Sequence, residues 1–484
     1  MNKPSALISA IQNEQNPSYT TNGARTNAST LNKALDFFYV GPVAKQNPQD
    51  AVKLFKAAYF DNREVSLRVL QWVRDVRGGA GARQAFRDCL SWLISYAPKD
   101  AMAVLNKTAL IGRWDDLLIV FDQNSKPVQR HVISLIKKAL ANGDGLCAKW
   151  MPRKGAVASI LQTSLKLSPK AYRVLIVGLS NTVEQKMCAR DWSEVNYSHV
   201  PSVAFARYRK AFKRHDENRY KSFVEAANKG EVKINASAIF PHDVVKLLPL
   251  NNYYAHHIDE TTRTSINAQW KNLPDYLAES GETGLVIADV SGSMNRTVGG
   301  STNVMHVCIA LAMYMAERAR GAFKDTFITF SERPQLQKLT GTDIVNRYQQ
   351  LITAKWDMNT NLEAAFKLIL DTAVKHHLAQ ADMPTVITII SDMEFDACTT
   401  QGRSGLDMIR KKFELAGYKM PRVVFWNVAG RIGNAPATGN QKDVALISGY
   451  SPAILSQVFN SEDLTPVNLM LKAVMSPRYD IELV

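Results

Sequence analysis

Cysteine is scarce in this chain. Only five occur in 484 residues (Cys89, Cys147, Cys188, Cys308 and Cys398), and no two form a CxxC pair. That sparseness excludes a disulfide-stapled secreted scaffold and a clustered structural zinc site, so each cysteine reads as a small buried hydrophobe. Long hydrophobic runs are also missing. No segment approaches the roughly 20 apolar residues that span a bilayer. The opening MNKPSALISAIQNEQNPSYTTNGARTN has no apolar stretch of the kind a secretory signal carries. The expectation is a cytoplasmic protein with reduced thiols and no membrane partner. Disorder-type composition is absent too: 46% of residues are apolar and 21% charged, as in ordinary globular proteins. The length allows two or three domains.

An excess of acidic residues is lacking, and the basic excess is one-sided. The net charge is +15, with 59 Lys+Arg against 44 Asp+Glu. Residues 281–484 hold 20 of each sign, so residues 1–280, with 39 and 24, carry the whole excess. Such asymmetry points the first part of the chain toward a polyanion.

Along the chain, residues 1–27 are polar and rich in Asn, Ser and Thr, which predicts a flexible arm. From 28 to about 250, helical spacing or helix-favouring composition recurs at 51–60, 65–76, 83–96, 100–108, 113–122, 127–141, 169–178, 202–226 and 241–249. Breakers such as RGGAG at 77–81 and NGDG at 142–145 separate them. Many short amphipathic helices in succession predict a HEAT-like α-solenoid over 28–280, although no fixed-period repeat is present. Near 280 the texture changes. Apolar runs end in polar residues at 284–291, 325–331, 384–392 and 421–429, alternating with helical segments at 303–320, 342–352, 361–377, 404–416, 451–459 and 464–475. This alternation predicts a doubly wound, Rossmann-like α/β domain over 281–484, with its boundary in the polar stretch 271–283.

Directly after the first of these strands stands Asp289-Val-Ser291-Gly-Ser293. In open α/β sheets, ligands bind at the carboxyl ends of the strands. A carboxylate and two hydroxyls on one tight loop are hard oxygen ligands suited to Mg²⁺ or Mn²⁺. Thr360, in Asn359-Thr360-Asn361, opens a helix and offers a third hydroxyl. Asp392, at the end of VITIIS, offers a second carboxylate. In order and spacing these five residues resemble the metal-ion-dependent adhesion site of von Willebrand factor A (vWA) domains. That resemblance implies hydroxyl contacts to the metal, aspartates acting directly or through water, and one open position for an acidic group of a protein partner. Met393-Glu394 departs from the Gly common after that aspartate. Glu394 either supports the site from behind or fills its open position.

In the basic part, Phe205, Tyr208 and Phe212 form an apolar stripe at i, i+3, i+7. Arg207, Lys210 and Arg214 repeat that spacing on another face, flanked by Arg209 and Lys213. A helix buried on one side and cationic on the other suits phosphate contact; a solvated helix face is the plainer reading. Lys149, Arg153 and Lys154 surround Trp150 in a loop, a combination of charge and stacking used on single-stranded nucleic acid. Arg74, Arg77 and Arg83 around RGGAGAR offer a phosphate nest. However, the Lys-Ser/Thr of a P-loop and a preceding strand are missing, which argues against nucleotide binding.

Further strings extend the resemblance: VRGGAGAR at 76–83, GRWDDLL at 112–118, AKWMPRKG at 148–155, MCARDWSEVNYSHVPSVAFARYRKAF at 187–212 and KINASAIFPHD at 233–243. With DVSGSM, NTNLEAAF and SDMEFD they resemble the Ro autoantigen family, a ring of helical TROVE repeats joined to a vWA domain. The nearest likeness is to a Ro-like branch of bacteria, viruses and plants. The resemblance implies a ring-forming solenoid that binds small structured or misfolded RNA in a ribonucleoprotein, without enzymatic activity. Two other classes compete. One is a vWA-mediated assembly module, including a phage or viral structural component, which needs no RNA. The other is a metal-dependent hydrolase. The latter needs an activated water and a positioned base, and the adjacent pairs His256-His257 and His376-His377 diverge on a helix, leaving no evident base.

Overall fold

The computed structural model describes residues 15–44, 47–236, 238–246, 258–278, 282–298, 302–330, 333–354, 360–397, 405–459 and 464–483, with a few isolated positions besides. His256, His257, Asn359, Cys398 and part of the 271–283 boundary lie outside them.

Before the helices stands an antiparallel hairpin, β1 (Pro17–Tyr19) and β2 (Arg25–Asn27). Helices then follow one another: α1 (Lys33–Val40), α2 (Pro48–Asp61), α3 (Arg63–Arg74), α4 (Arg83–Tyr96), α5 (Pro98–Ile111), α6 (Lys126–Ala141) and α7 (Gly145–Trp150). After them come α8 (Ala156–Leu165), α9 (Pro169–Ser180), α10 (Val183–Ala189), α11 (Ser202–His215), α12 (Glu217–Lys229), α13 (Pro241–Val245) and α14 (Glu260–Lys271). Local chemistry sets their ends. Asn62 caps α3 by accepting the Val65 N–H at 3.1 Å. Proline sits in the first turn of α2, α5, α6 and α9, where its missing N–H has no helical partner to lose. The segment expected as one helix over 202–226 is broken at Asp216. Its φ of −148° is non-helical, and its carboxylate accepts the Tyr197 hydroxyl at 2.7 Å and Arg219 at 3.0 Å.

The Gly-rich turn at 77–81 is structural. It folds back on α3, with Ala80 N–H on Trp72 O (3.1 Å) and Ala82 N–H on Val73 O (2.8 Å). A Cβ at Gly79 would lie 2.0 Å from the Trp72 carbonyl, so only glycine fits. Arg74 is buried on Asp116 at 2.6 Å, and Asp116 also holds Arg87 at 2.7 Å. These pairs tie the helices on either side of the turn, α3 and α4, to GRWDDLL and leave Arg74 no phosphate to meet.

The remainder forms a parallel sheet with one antiparallel edge. Its strands in chain order are β3 (Gly284–Ala288), β6 (Thr326–Thr329), β7 (Leu336–Lys338), β8 (Val386–Ser391), β9 (Arg422–Asn427) and β10 (Val444–Ser448). A two-stranded ribbon, β4 (Thr297–Val298) and β5 (Thr302–Asn303), precedes α15 (Val304–Arg318). Then come α16 (Ile344–Thr353), α17 (Leu362–Lys375), α18 (Gly405–Leu415), α19 (Leu455–Phe459) and α20 (Pro466–Val474). The spatial order is β10-β9-β8-β3-β6-β7, with only β7 antiparallel. Winding runs outward from β3 on one side and from β8 on the other, as in doubly wound folds. Every residue of β8 is buried, which is why its run VITIIS lacks alternation. The expected fold class, helices followed by a doubly wound α/β domain, is the one observed.

Two expectations about boundaries are corrected. The second half of the arm is not free: Asn27 pairs with Ala435 and Gly23 with Asp396, joining the hairpin to loops of the sheet domain. Nor does 271–283 separate two cores. α1 lies on β10, where the Tyr39 carbonyl accepts Asn427 Nδ2 (3.3 Å) and the Phe38 carbonyl accepts the Ser448 hydroxyl (2.9 Å). One apolar cluster runs from Ala34 in α1 to Tyr479 near the other end. The C-terminal segment in turn clasps α3 through Arg478 and the Tyr479 hydroxyl on Asp75, and through Asp480 on Arg68 (2.9 Å). Polar composition marked a chain crossing, not a gap in packing. Cys89, Cys147 and Cys308 are buried as expected, but Cys188 is exposed. Among the described residues, no helix is long and apolar enough to cross a membrane.

Candidate functional site

β3 and β8 are neighbours, with Ala288 opposite Ile390. This register carries Asp289 beside Ser391 and brings Asp392 to the same sheet edge, at the point where the winding reverses. The Asp289 N–H donates to Ile390 O at 3.0 Å, continuing the ladder by one rung. Asp289 Oδ1 accepts the Ser291 N–H at 2.9 Å, and Oδ2 accepts the Ser391 hydroxyl at 2.7 Å. Ser391 Oγ also accepts the Met393 N–H at 2.9 Å. The hydroxyls of Ser291 and Ser293 stand 3.0 Å apart. Ser293 is exposed while Ser291 is buried, so the loop faces outward at its tip.

Asn361 caps α17 by accepting the Ala364 N–H at 2.9 Å, which fixes Thr360 immediately before the helix. The Thr360 hydroxyl donates to Glu394 O at 2.9 Å, and the Asp396 N–H donates to Thr360 O at 3.1 Å. All five residues expected from the motif are therefore tied to three adjoining loops, and Asp289, Asp392 and Thr360 are each at most 2% exposed.

Burial disfavours the charged form of both carboxylates. Asp289 is pushed up to about 6, by loss of solvent first and by the neighbouring Asp392 second. Asp392 is also raised by burial, although Arg296 opposes the rise. Among the described residues, Asp392 Oδ2 has no hydrogen-bond partner. Two buried acids, one with an oxygen that accepts no hydrogen bond, beside paired hydroxyls, form a donor set that a small hard cation fits. Among the described residues, no three His, Cys, Asp or Glu side chains gather at one point, so any hard-cation site here depends on the hydroxyls.

Glu394 does not fill the open position. Its carboxylate accepts Arg431 Nε at 2.9 Å, Asn434 Nδ2 at 3.3 Å and the Thr21 N–H. Thr20 and Asn22 also bond the backbone of 394–395. The glutamate thus holds the N-terminal hairpin against the loop that carries Asp392. The sequence pattern could not show this, because hairpin and loop are about 370 residues apart. Arg296 was also missed. Its guanidinium forms a 3.2 Å ion pair with Asp392 Oδ2 and donates to Ala429 O at 2.9 Å. Its place three residues after Ser293 was the available signal.

In the helical part, Arg207, Lys210 and Arg214 are exposed on α11, while Phe205 and Phe212 are buried and Tyr208 is partly buried. Arg209 is corrected. It is 2% exposed and bonds Gln269 Oε1 at 3.1 Å, so it cannot meet a phosphate. The spacing explains this, because Arg209 lies four residues after Phe205 and three before Phe212, on the buried face. Lys213 is engaged with Asp259 at 2.9 Å. Arg153 and Lys154 are exposed, whereas Lys149 lies 3.8 Å from Glu184 and over the Trp150 ring. Arg113 covers the same ring, 5.0 Å from its centroid.

Residues 283–473 match a domain of unknown function (DUF7788), and residues 20–118 and 170–283 match another (DUF2828). An uncharacterised protein of Acanthamoeba polyphaga mimivirus is 25% identical over 513 residues, covering 94% of this chain and 87% of that protein. Among solved structures, the Deinococcus radiodurans Ro (RSR) protein aligns with 92% of this chain and 99% of its own, at 13% identity and a TM-score of 0.36.

Proposed function

We propose that this chain is a non-enzymatic, cytoplasmic RNA-binding protein of the Ro type, whose sheet domain holds a divalent cation for partner binding. One observation carries the RNA reading. The half of the chain with the entire +15 excess presents Arg207, Lys210 and Arg214 in a row on a helix whose other face is buried. Three exposed cations spaced three and four residues apart on one helix face match a phosphate backbone better than an apolar protein surface. Arg153 and Lys154 extend the cationic surface. The metal reading is supported by the two buried, mutually repelling carboxylates and by Asp392 Oδ2, which accepts no hydrogen bond among the described residues and is met only by the Arg296 charge. Asp289, Ser291, Ser293, Thr360 and Asp392 would hold Mg²⁺ or Mn²⁺. When bound, the ion offers an acidic group of a protein partner a coordination position.

The experiment is RNA affinity of the full chain from low to moderate salt, on single-stranded and structured RNA. A steep log–log slope is expected, because each neutralised phosphate releases counterions. No affinity at low salt would overturn the RNA reading. It would leave the metal-dependent assembly module as the better account, which the exposed Ser293 beside the carboxylate pair favours.

A further inference from the structure

Arg296 belongs to neither the motif nor the cationic ridge, yet it reaches the centre of the site. It sits where the DVSGS loop passes into β4, and its backbone is fixed on both sides. Its N–H bonds Met294 O at 2.9 Å, and its carbonyl accepts the Val304 N–H at 3.0 Å. From that base the side chain crosses to the loop after β9 and lies between Ala429 O (2.9 Å) and Asp392 Oδ2 (3.2 Å). The oxygen it meets is the one with no hydrogen bond, and the guanidinium Nε is itself buried without a partner. Contact between the two is one of charge rather than aligned hydrogen bonding. A guanidinium cannot lose its charge under ordinary conditions. Among the described residues Asp289 has no such counter-ion; its carboxylate meets Ser291 and the Ser391 hydroxyl. The pair of acids is thus neutralised on one side only.

We propose that Arg296 is a tethered cation of the metal site: it holds Asp392 when no divalent ion is bound, and it weakens binding of that ion by repulsion and by occupying the carboxylate. This rests on the metal reading above. Two carboxylates and one guanidinium leave a single net negative charge for a doubly charged ion. The loaded site is then left with one net positive charge, which a carboxylate from a partner would neutralise. The arginine thereby shifts the site from tight metal storage toward an ion held loosely enough to depend on an acidic partner.

The test compares full-length protein with Arg296→Gln and Arg296→Lys in Mg²⁺ titrations, read as the midpoint of the melting-temperature increase over EDTA. Arg296→Gln should bind Mg²⁺ at a concentration lower by roughly tenfold or more, since removing one unit charge about 6 Å from a divalent ion is worth about tenfold even with the screening of bulk water. Arg296→Lys keeps the charge and should stay within about threefold of the parent, on the same electrostatic argument. A response seen only in Arg296→Gln would support the proposal most strongly. Equal midpoints in all three proteins would overturn it while leaving the metal site standing. No Mg²⁺ response in any of them would overturn the metal reading and this proposal with it.

Discussion

Replacing Asp289 by asparagine should stabilise the protein in EDTA and abolish its response to Mg²⁺. The carboxyl is fully buried and raised from an ordinary 3.8 to about 6. The folded protein therefore holds this proton more tightly than the unfolded chain does. At neutral pH the ionised form is a burden that is relieved as pH falls through about 6 toward 3.8. At roughly 1.4 kcal/mol per unit the burden is at most on the order of 3 kcal/mol. Asparagine removes the charge and keeps an oxygen for the Ser291 N–H. It reverses the Ser391 contact, however, because the amide donates to Ser391 Oγ and the serine hydroxyl loses its acceptor, at a cost of about 1 kcal/mol. A net gain of about 1–2 kcal/mol remains, and in a chain of this size that raises the melting temperature by roughly 1–2 °C. Scanning calorimetry in EDTA at neutral pH reads it. Saturating Mg²⁺ should then stabilise the parent by about 2–3 kcal/mol at a hundred times its dissociation constant and leave Asp289→Asn unmoved. The parent's Mg²⁺ response should also shrink as pH falls through about 6, because protons compete with the ion for the carboxylates. A variant less stable than its parent in EDTA would refute the argument that the acid pair is strained without a cation.

Arg207, Lys210 and Arg214 replaced together by alanine should change stability by no more than roughly 0.5 kcal/mol each and lower the RNA salt slope by about 0.7 per residue on single strands; unchanged slopes would remove α11 from the binding surface. Arg209→Met should do the opposite, leaving RNA binding alone while holding or raising the melting temperature, since it replaces a buried cation whose Nε and Nη1 lack partners; a large loss of stability would show that the charge is satisfied in a way the Gln269 contact does not reveal. Residues 281–484 expressed alone should aggregate, because α1 and its cover of β10 are missing, whereas residues 15–484 should be monodisperse by size-exclusion chromatography. Glu394→Gln should cost about 1 kcal/mol through its weakened hold on Arg431 and the Thr21 N–H without changing the Mg²⁺ midpoint. A tighter midpoint would return Glu394 to the open coordination position.

The parts of this molecule that were legible in its sequence are those written in short-range pattern. β3, β6, β8 and β9 announce themselves as apolar runs ending in polar residues, and the loops of the proposed metal site follow directly, so fold class and candidate site were read together. Arg209 was legible as well, because its spacing from Phe205 and Phe212 places it on the buried face, yet its charge drew attention to the wrong side of the helix. β10 was hidden in VALIS between turn residues, with no helix pattern close before it. β7, three partly exposed residues at an antiparallel edge, has too little apolar content to register. α7 and α10 are short and depend on caps, Asp144 and the Thr182–Gln185 box, which are weak signals without a long amphipathic face behind them, and α8 starts after Gly155 with no side-chain cap to announce it.

Contacts between distant segments left no pattern at all, and they decide how the two parts cohere. Ser18 bonds Gly433, 415 residues away, and Thr21 bonds Glu394 across 373. The hairpin precedes these partners in the chain by 373 to 415 residues, so it has no partner until that intervening chain is made. A segment with that history must stay soluble without its partners. The Asn, Ser and Thr content that suggested a flexible arm meets this requirement, since polar side chains cost little while hydrated and can still supply hydrogen bonds at the end. Such non-local closure is slow, because chain entropy is lost before the contacts return it. It also falls on the loop between Asp392 and Asp396, so this long-range closure bears on the second carboxylate of the proposed ion site.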